Sequence, residues 1–311
     1  MQLPVEMKSE MRRAFEACRK TIEGFPVPFA ECGVRYLDRF DPDRGGGPTN
    51  YICCLLPYWL RQAAGIPLEQ CRPIAEANLF GMLHFHLQDE RTDRAAVLDR
   101  THIVLSQLLN AEMIARYAAL FRSPEAFRSA LLACTAEWAS GMAAERESDP
   151  FPERQQDLAS RSAPLLLCPL SLFEERESLR ARALHAVRET LITLQMADDW
   201  ADYAEDLREG SYNSLVSLYR KERGLPAETP VEAREIGDAV YAGGLLGRYA
   251  EFAARRQLEL ETYREDFGEL IAFHAALAGD LERIAAGIET EKRDLAQGGF
   301  SYWLLGNRHP S

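Results

Sequence analysis

The sequence has few lysines and no long apolar run, and both absences narrow the range of functions. Of the 36 basic residues, four are lysines, and 48 acidic residues give a formal net charge of −12. No cluster of basic residues stands out, which argues against a surface that binds the phosphates of nucleic acids. The longest apolar runs, 51–60 and 162–173, contain prolines and are shorter than the roughly 18 to 20 residues of a bilayer span. The sequence therefore predicts no nucleic-acid partner and no transmembrane segment.

Metal-binding cysteine motifs and a secretory signal are also missing. The seven cysteines lie mostly in apolar stretches and form no CxxC pair or Cys/His spacing suited to zinc. They are predicted to be reduced, buried thiols. The apolar segment typical of a signal peptide is absent from the amino-terminal MQLPVEMKSEMRR. We therefore expect a cytoplasmic, soluble protein.

Apolar residues recur at spacings of three and four along almost the whole chain, which is typical of helices. The alternation typical of strands is nearly absent, and clusters of glycine and proline separate the apolar segments. These breaks predict helices at about 4–22, 28–39, 49–63, 68–92, 98–121, 125–147, 155–173, 175–206, 212–221, 231–262 and 264–292. With no internal repeat and no long linker, residues 1–311 are predicted to form a single all-α domain, a bundle of about ten to twelve helices.

An acidic patch follows the strongly apolar part of the predicted helix 68–92. It reads LHFHLQDERTD at 83–93, so that Asp89 and Asp93 are four residues apart. At this spacing both carboxylates project from one face of the helix, on the same stripe as Phe85 and His86. A solvated acidic face would account for this patch equally well if it stood alone.

A second acidic patch, LQMADDWADYAED at 194–206, forms a longer ladder of carboxylates. Asp198, Asp202 and Asp206 repeat at intervals of four with no lysine or arginine partner on the helix at those positions. Like charges at this spacing repel one another and destabilise an isolated helix, so a compensating cation is expected. Carboxylate oxygens from facing helices suit Mg²⁺. A solvated face is the weaker explanation here, because the apolar stripe of the helix continues directly into the ladder.

Other catalytic motifs do not occur. No histidine has a glutamate three residues before it, which argues against a di-iron bundle. The HExxH, P-loop and GxSxG motifs are missing as well. A serine or cysteine nucleophile stays open, although no motif positions one. His84 and His86 fit a supporting role better than a ligand role.

The two patches together resemble the two aspartate-rich motifs of the trans-isoprenyl diphosphate synthase and class I terpene synthase superfamily. Gln-x-x-Asp-Asp-x-x-Asp stands at 195–202, and Gln-Asp-Glu-x-x-Asp stands about 110 residues earlier, at 88–93. The resemblance extends over about residues 45–215. The segment DYAEDLREGSY at 202–212 is also similar to the squalene and phytoene synthase branch. The resemblance implies an all-helical bundle around a central apolar cavity, with the two motifs facing each other.

Departures from the chain-elongating pattern favour a cyclase within this superfamily. Where elongating synthases carry Gly-Gly-Lys-Arg, residues 47–50 read Gly-Pro-Thr-Asn. The Arg-Arg-Gly after the first motif is replaced by Arg-Ala-Ala at 94–96, and the Gly-Lys after the second is replaced by Gly-Ser at 210–211. Because elongating enzymes need such bases to hold isopentenyl diphosphate, we interpret the chain as a class I terpene synthase. Such a lyase ionises and cyclises one linear prenyl diphosphate and releases pyrophosphate.

The resemblance also implies roles for individual residues. A cluster of about three Mg²⁺ ions would be held by carboxylates from both motifs, namely Asp89, Glu90, Asp93, Asp198, Asp202 and Asp206. Arg161 stands where prenyl synthases carry a lysine-threonine pair, and it is expected to bind the substrate diphosphate together with Gln195. The residues expected to be catalytic are Asp89, Asp93, Asp198, Asp202 and Arg161. The cavity is expected to have an aromatic lining, with Phe80, Phe85, Trp59, Trp138 and Trp200 as its members.

Three alternatives remain at this point. A coupling enzyme, either chain-elongating or of the squalene/phytoene head-to-head type, would need a second diphosphate site made from arginines. A helical binding module could retain the acids without catalysis, and an unrelated Mg²⁺-dependent pyrophosphohydrolase could use them differently. A homodimer is expected from the resemblance alone.

Overall fold

The computed structural model describes residues 3–44, 51–93, 100–147 and 149–296, and these ranges are helical with no strand. Two short 3-10 helices, Ala163–Leu166 and Glu261–Tyr263, accompany thirteen α-helices. In chain order these are α1 (Val5–Glu23), α2 (Phe29–Asp38), α3 (Tyr51–Ala64), α4 (Leu68–Asp93), α5 (Arg100–Leu120), α6 (Pro124–Glu147), α7 (Gln156–Ser160), α8 (Leu167–Leu172), α9 (Glu177–Glu209), α10 (Ser214–Arg223), α11 (Ala233–Tyr241), α12 (Leu245–Leu260) and α13 (Arg264–Ala296). The predicted all-α fold class is confirmed.

Two of the predicted helices are broken in the structure. The predicted helix 155–173 divides into α7, a 3-10 helix and α8, because Pro164 at the start of the 3-10 helix lacks the N–H that a continuous helix needs. The predicted helix 231–262 divides into α11 and α12 at a pair of glycines. Gly244 there has a φ of +68°, which only glycine adopts readily. Both predictions of a single helix were therefore wrong, and each of these two segments contains two α-helices instead of one.

The helices pack around one extended apolar core. α4 packs against both α3 and α5, and α13 packs against α3, α9 and α12. Large side chains such as Leu79, Leu83 and Phe267 are completely buried, and each contributes about 1.5–3 kcal/mol through burial. This packing fixes α4 and α9, the helices that carry the two acidic patches.

The cysteines behave as the sequence predicts. All seven are free thiols, and six of them are buried while Cys32 is half-buried. Burial raises the pKa of Cys53 to about 12, so this thiol stays protonated near neutral pH.

Within the described ranges, no helix combines the length and apolarity that a bilayer span requires.

Candidate active site

One face of α4 lines a cavity of about 430 Å³. The lining residues of this face recur at intervals of three and four, as helical geometry requires. They are Ala77, Asn78, Gly81, Met82, Phe85, His86 and Asp89. Asp89 therefore lies at one end of the stripe, and Asn78 lies about 16 Å away along the helix axis.

One face of α9 also lines the cavity. Leu191 and Leu194 are its apolar members, and the same face continues into the carboxylate ladder of Asp198, Asp202 and Asp206. Both acidic patches thus contribute to one cavity, as the sequence predicts. The remainder of the lining includes Ile52 and Cys53 from α3, Met113 and Tyr117 from α5, and the segment with Arg161, Ser162, Pro164 and Leu165.

Asp198, the first carboxylate of the ladder, has a strongly raised pKa. Partial removal from bulk water inside the cavity, together with the nearby charges of Asp202 and Asp206, raises the pKa of Asp198 to about 6, although this residue remains exposed to the open space of the cavity. Arg161 acts in the opposite direction on the same pKa. Arg161 lies between α7 and the following 3-10 helix and also lines the cavity. The repulsion expected from the sequence is therefore present, and one cation of this chain partly offsets it.

Asp199 was not singled out in the sequence, although the structure gives it a specific environment. Its carboxylate is buried and accepts hydrogen bonds from the backbone N–H of Ser214 at 2.8 Å and from the Ser214 hydroxyl. Burial raises the pKa of Asp199 to about 7, while the hydrogen bonds from Ser214 and Gln195 oppose that rise. The doubled aspartate at 198–199 was the only signal in the sequence for a role of Asp199. The hydrogen-bond partner of Asp199, Ser214, lies on the next helix and could not be assigned from the sequence.

Gln195 has a different contact from the predicted one. Its amide Nε2 donates to Asp199 Oδ1 at 2.7 Å, so this amide holds the carboxylate one turn further along α9. Gln195 also lines the cavity. The interaction with a substrate diphosphate stays a prediction, and in the structure Gln195 orients Asp199.

The junction of α9 and α10 holds the end of the ladder in place. α9 ends at Gly210, whose φ of +73° is a left-handed cap. Asn213 caps α10 by accepting from the backbone N–H groups of Leu215 and Val216 at 3.0 and 3.2 Å. Its Nδ2 donates to the backbone oxygen of Asp199 and to Asp206 Oδ2, both at 2.7 Å. One buried amide therefore links the helix cap to the last carboxylate of the ladder.

Phe85 is the one of the five predicted aromatic residues that lines the cavity. Trp138 of α6 packs against it edge to face, with ring centroids 5.0 Å apart. Trp138 thus supports the ring of Phe85 from behind instead of facing the cavity. Lining side chains that were not predicted include Phe40 and Tyr117 and the flexible thioethers of Met82 and Met113.

The other three predicted aromatics do not line the cavity and pack against other side chains instead. Phe80 is completely buried, with the guanidinium of Arg116 4.5 Å from its ring centroid. Trp59 packs against Phe273 at 4.7 Å between ring centroids, and Trp200 stacks on Tyr203 at 5.9 Å. The structure corrects the predicted lining for these residues, because Phe80 and Trp59 pack against neighbouring helices and Trp200 packs against a side chain of its own helix.

The oxygen-rich donor set of the acidic end suits Mg²⁺. Asp89 from α4 and Asp198, Asp202 and Asp206 from α9 all line the cavity, and Mg²⁺ commonly uses one or two carboxylates together with substrate phosphates. Among the residues that the structure describes, no group of three or more histidine, cysteine, aspartate or glutamate side chains is arranged so that it could hold a metal ion. The side chains of Glu90 and Asp93, which the sequence assigns to the same metal site, lie outside the described residues, as do residues 45–50 and 94–99.

The fold is similar to that of a prenyl diphosphate synthase. The geranylgeranyl pyrophosphate synthetase from the archaeon Geoglobus acetivorans matches with a TM-score of 0.65 and 15% sequence identity. The match covers 88% of this chain and 99% of that one. No protein-family model matches this sequence, and no curated protein matches it. At this identity the likeness establishes the fold, which is the isoprenyl synthase type that the resemblance implied.

Proposed function

We propose that this chain is a Mg²⁺-dependent enzyme that ionises an allylic prenyl diphosphate. The observation that carries the proposal is a cavity with carboxylates at one end and mostly apolar side chains along the rest. A prenyl diphosphate has the same division into a charged head and an apolar chain. The head would lie beside Asp89 and the ladder of α9, and the chain would extend past Phe85 and Leu194.

Each group of residues has a distinct task in this proposal. Asp89, Asp198, Asp202 and Asp206 would hold Mg²⁺, which supplies positive charge that stabilises the departing pyrophosphate. Arg161 would donate to phosphate oxygens, and its planar guanidinium can do so in bidentate fashion. The network of Gln195, Asp199 and Ser214 keeps the turn that carries Asp198 in a fixed orientation.

The apolar wall would control what happens after ionisation. Met82, Phe85 and Leu194 exclude water from the allylic cation, which would otherwise be captured at once. The face of the Phe85 ring can stabilise positive charge through its quadrupole. Trp138 restricts that ring to one orientation.

The structural similarity favours coupling as the fate of the cation. The matched archaeal protein is, by its name, a geranylgeranyl pyrophosphate synthetase, and such a synthetase joins two prenyl diphosphates. On this basis a coupling reaction is better supported than the cyclisation favoured by the sequence alone. A coupling enzyme must hold a second diphosphate near the first.

Cyclisation is retained as the second candidate because of the charge of the cavity. Among the described residues that line it, Arg161 is the one that carries a permanent positive charge. One such cation suits one diphosphate. The sequence positions 47–50, 95–96 and 211 likewise lack the bases of elongating synthases. A homodimer stays a prediction from the resemblance.

The test is incubation of the purified protein with Mg²⁺ and geranyl, farnesyl or geranylgeranyl diphosphate, each with and without isopentenyl diphosphate. Products are identified by mass spectrometry of hexane extracts and of the dephosphorylated aqueous phase. A longer diphosphate that forms only with isopentenyl diphosphate means chain elongation, and a hydrocarbon of doubled length means head-to-head coupling. A cyclic hydrocarbon or alcohol from one diphosphate means cyclisation. No consumption of any prenyl diphosphate would contradict the proposal.

A pair of variants on α9 links the activity to the ladder. Asp198→Asn is expected to lower turnover about 100-fold or more, because it removes a carboxylate ligand of the Mg²⁺ that would stabilise the departing pyrophosphate. Glu205→Gln is the matched control, since Glu205 lies on the same helix, is more than half exposed and pairs with Arg208. Equal activity of both variants would remove Asp198 from the site. Circular dichroism checks that each variant retains its helices.

A further inference from the structure

Gly141 stands in the interior of α6, where glycine is an unfavourable residue. Glycine loses more conformational freedom in a helix than alanine does, so alanine would stabilise the helix itself. Gly141 is buried, however, and lies against the end of α7. A Cβ at this position would be 2.7 Å from the Cβ of Ser160 and 3.3 Å from the backbone N of Arg161. The absence of a side chain therefore lets the end of α7 lie directly against α6.

This contact is made at the backbone that carries Arg161. Arg161 lies between α7 and the 3-10 helix that follows, so no long helix fixes its position. Its side chain lines the cavity, and its charge acts on Asp198 of α9. Because the 3.3 Å contact would be with backbone, rotation of a side chain cannot relieve it. The close approach to Gly141 thus determines where Arg161 enters the cavity.

The opposite end of α7 is anchored as well. Gln155, the residue before α7, accepts a hydrogen bond on its side-chain oxygen from Arg256 Nη2 of α12. Arg256 is buried, and its Nε lies 2.9 Å from an Oε2 carboxylate oxygen of Glu189 on α9. α7 has five residues, and it is held at its start by this anchor and at its end by the contact with Gly141. The whole helix cannot slide away from α6 unless the anchor breaks.

We propose that Gly141 is a positioning residue that sets the place of Arg161 in the cavity, and that the contact between Gln155 and Arg256 shares this role. The inference rests on the proposed function, in which Arg161 donates to the oxygens of a diphosphate. A planar guanidinium binds two phosphate oxygens only in a narrow range of geometry. A displaced backbone at Arg161 therefore weakens diphosphate binding without removing any group that touches the diphosphate.

The test measures binding of inorganic pyrophosphate to the full-length protein in the presence of Mg²⁺ by isothermal titration calorimetry, so it needs no turnover. Gly141→Ala introduces the close contact, and Ser160→Gly is added to remove the atom nearest the new methyl group. Gly287→Ala, at an exposed position of α13, is the matched control, because a Cβ there would meet nothing within 4 Å. Gly141→Ala is also made together with Arg161→Gln. Circular dichroism checks that each variant retains its helices.

Arg161→Gln is expected to weaken pyrophosphate binding roughly 10- to 100-fold, as for the loss of a hydrogen bond to a charged group. Gly141→Ala should weaken it roughly 3- to 10-fold, because the guanidinium is retained but misplaced. Gly287→Ala should bind as the wild type does, and Ser160→Gly should restore most of the affinity that Gly141→Ala loses. In the Arg161→Gln background, Gly141→Ala should have no further effect, because both changes act on the same contact.

Two results overturn the inference and leave the proposed function in place. They are wild-type affinity in Gly141→Ala, and an equal loss of affinity from Gly141→Ala with and without Arg161, which is the outcome of a general packing defect. If Gly141→Ala does not fold, Gln155→Leu decides in its place, since it should also weaken binding only while Arg161 is present. If the wild type itself binds no pyrophosphate, the proposed function fails and the inference fails with it.

Discussion

Replacement of Asn213 by alanine is expected to destabilise the protein by about 3 kcal/mol. Loss of a side-chain helix cap costs about 0.5–2 kcal/mol, and the two groups that Asn213 Nδ2 contacts would also lose their donor. A hydrogen bond to a charged group is worth about 1.5–3 kcal/mol, and this value is reduced for Asp206 because its side chain is only partly buried. The measurement is the free energy of unfolding from reversible urea titration followed by circular dichroism.

Two further variants separate the parts of this effect. Asn213→Ser retains a capping oxygen but cannot reach Asp206, so it should recover about 1 kcal/mol relative to alanine. Asn110→Ala, on α5, is the control for loss of an asparagine elsewhere and should change the free energy of unfolding by less than about 0.5 kcal/mol. The reasoning is refuted if Asn213→Ala lies within 1 kcal/mol of the wild type. It is equally refuted if Asn213→Ser is no more stable than the alanine variant.

Two other predictions concern pH and products. Burial, with a smaller effect of Arg256, lowers the pKa of His274 from 6.5 to about 4, so the unfolded chain binds the proton more readily between these values. The contribution of His274 to stability is therefore present above pH 6.5, and about 2 kcal/mol of it should be lost between pH 7.5 and 5.0, while the raised pKa values of Asp198 and Asp199 act in the opposite direction over this range. In urea titrations the difference in free energy of unfolding between the wild type and His274→Gln, in which the carboxylate contributions cancel, should therefore fall by about 2 kcal/mol over this range. The difference between the wild type and His185→Gln, a change at a half-exposed site, should stay constant. Under the proposed function, Phe85→Leu should alter the product mixture while reducing the rate less than about fivefold, and an unchanged mixture by gas chromatography and mass spectrometry would place Phe85 away from the reacting chain.

The sequence predicts the faces of α4 and α9 well, because their contribution to the cavity follows from helical periodicity alone. Asp89 and Asp198 needed only a spacing of four to be placed on lining faces. The positions of the aromatic side chains were harder to predict, because periodicity identifies a buried helix face but not the helix or cavity against which that face packs. Trp59 and Phe273 lie more than 200 positions apart in sequence, and only the packing of α3 against α13 brings them together.

The supporting hydrogen bonds could not be predicted for a similar reason. Asp199 depends on Ser214, which follows a left-handed turn at Gly210 whose geometry no residue pattern specifies fully. Asn213 could be recognised as a helix cap, but its second bond, to Asp206, depends on how α10 leaves α9. Tertiary geometry therefore determines these contacts.

The arrangement of Asn78 and Asp89 on one helical face limits how such a cavity can change its length during evolution. One inserted residue in α4 between them would rotate Asp89 by about 100° relative to Asn78 and turn one of the two away from the cavity. Seven inserted residues, which make nearly two complete turns, would return both to the same side with an offset of about 20° and lengthen the distance by about 10 Å. The depth of the cavity can therefore change by insertion only in coarse steps. Fine adjustment is left to the size of side chains such as Met82 and to Gly81, where an added Cβ would lie 2.9 Å from Met113 Sδ.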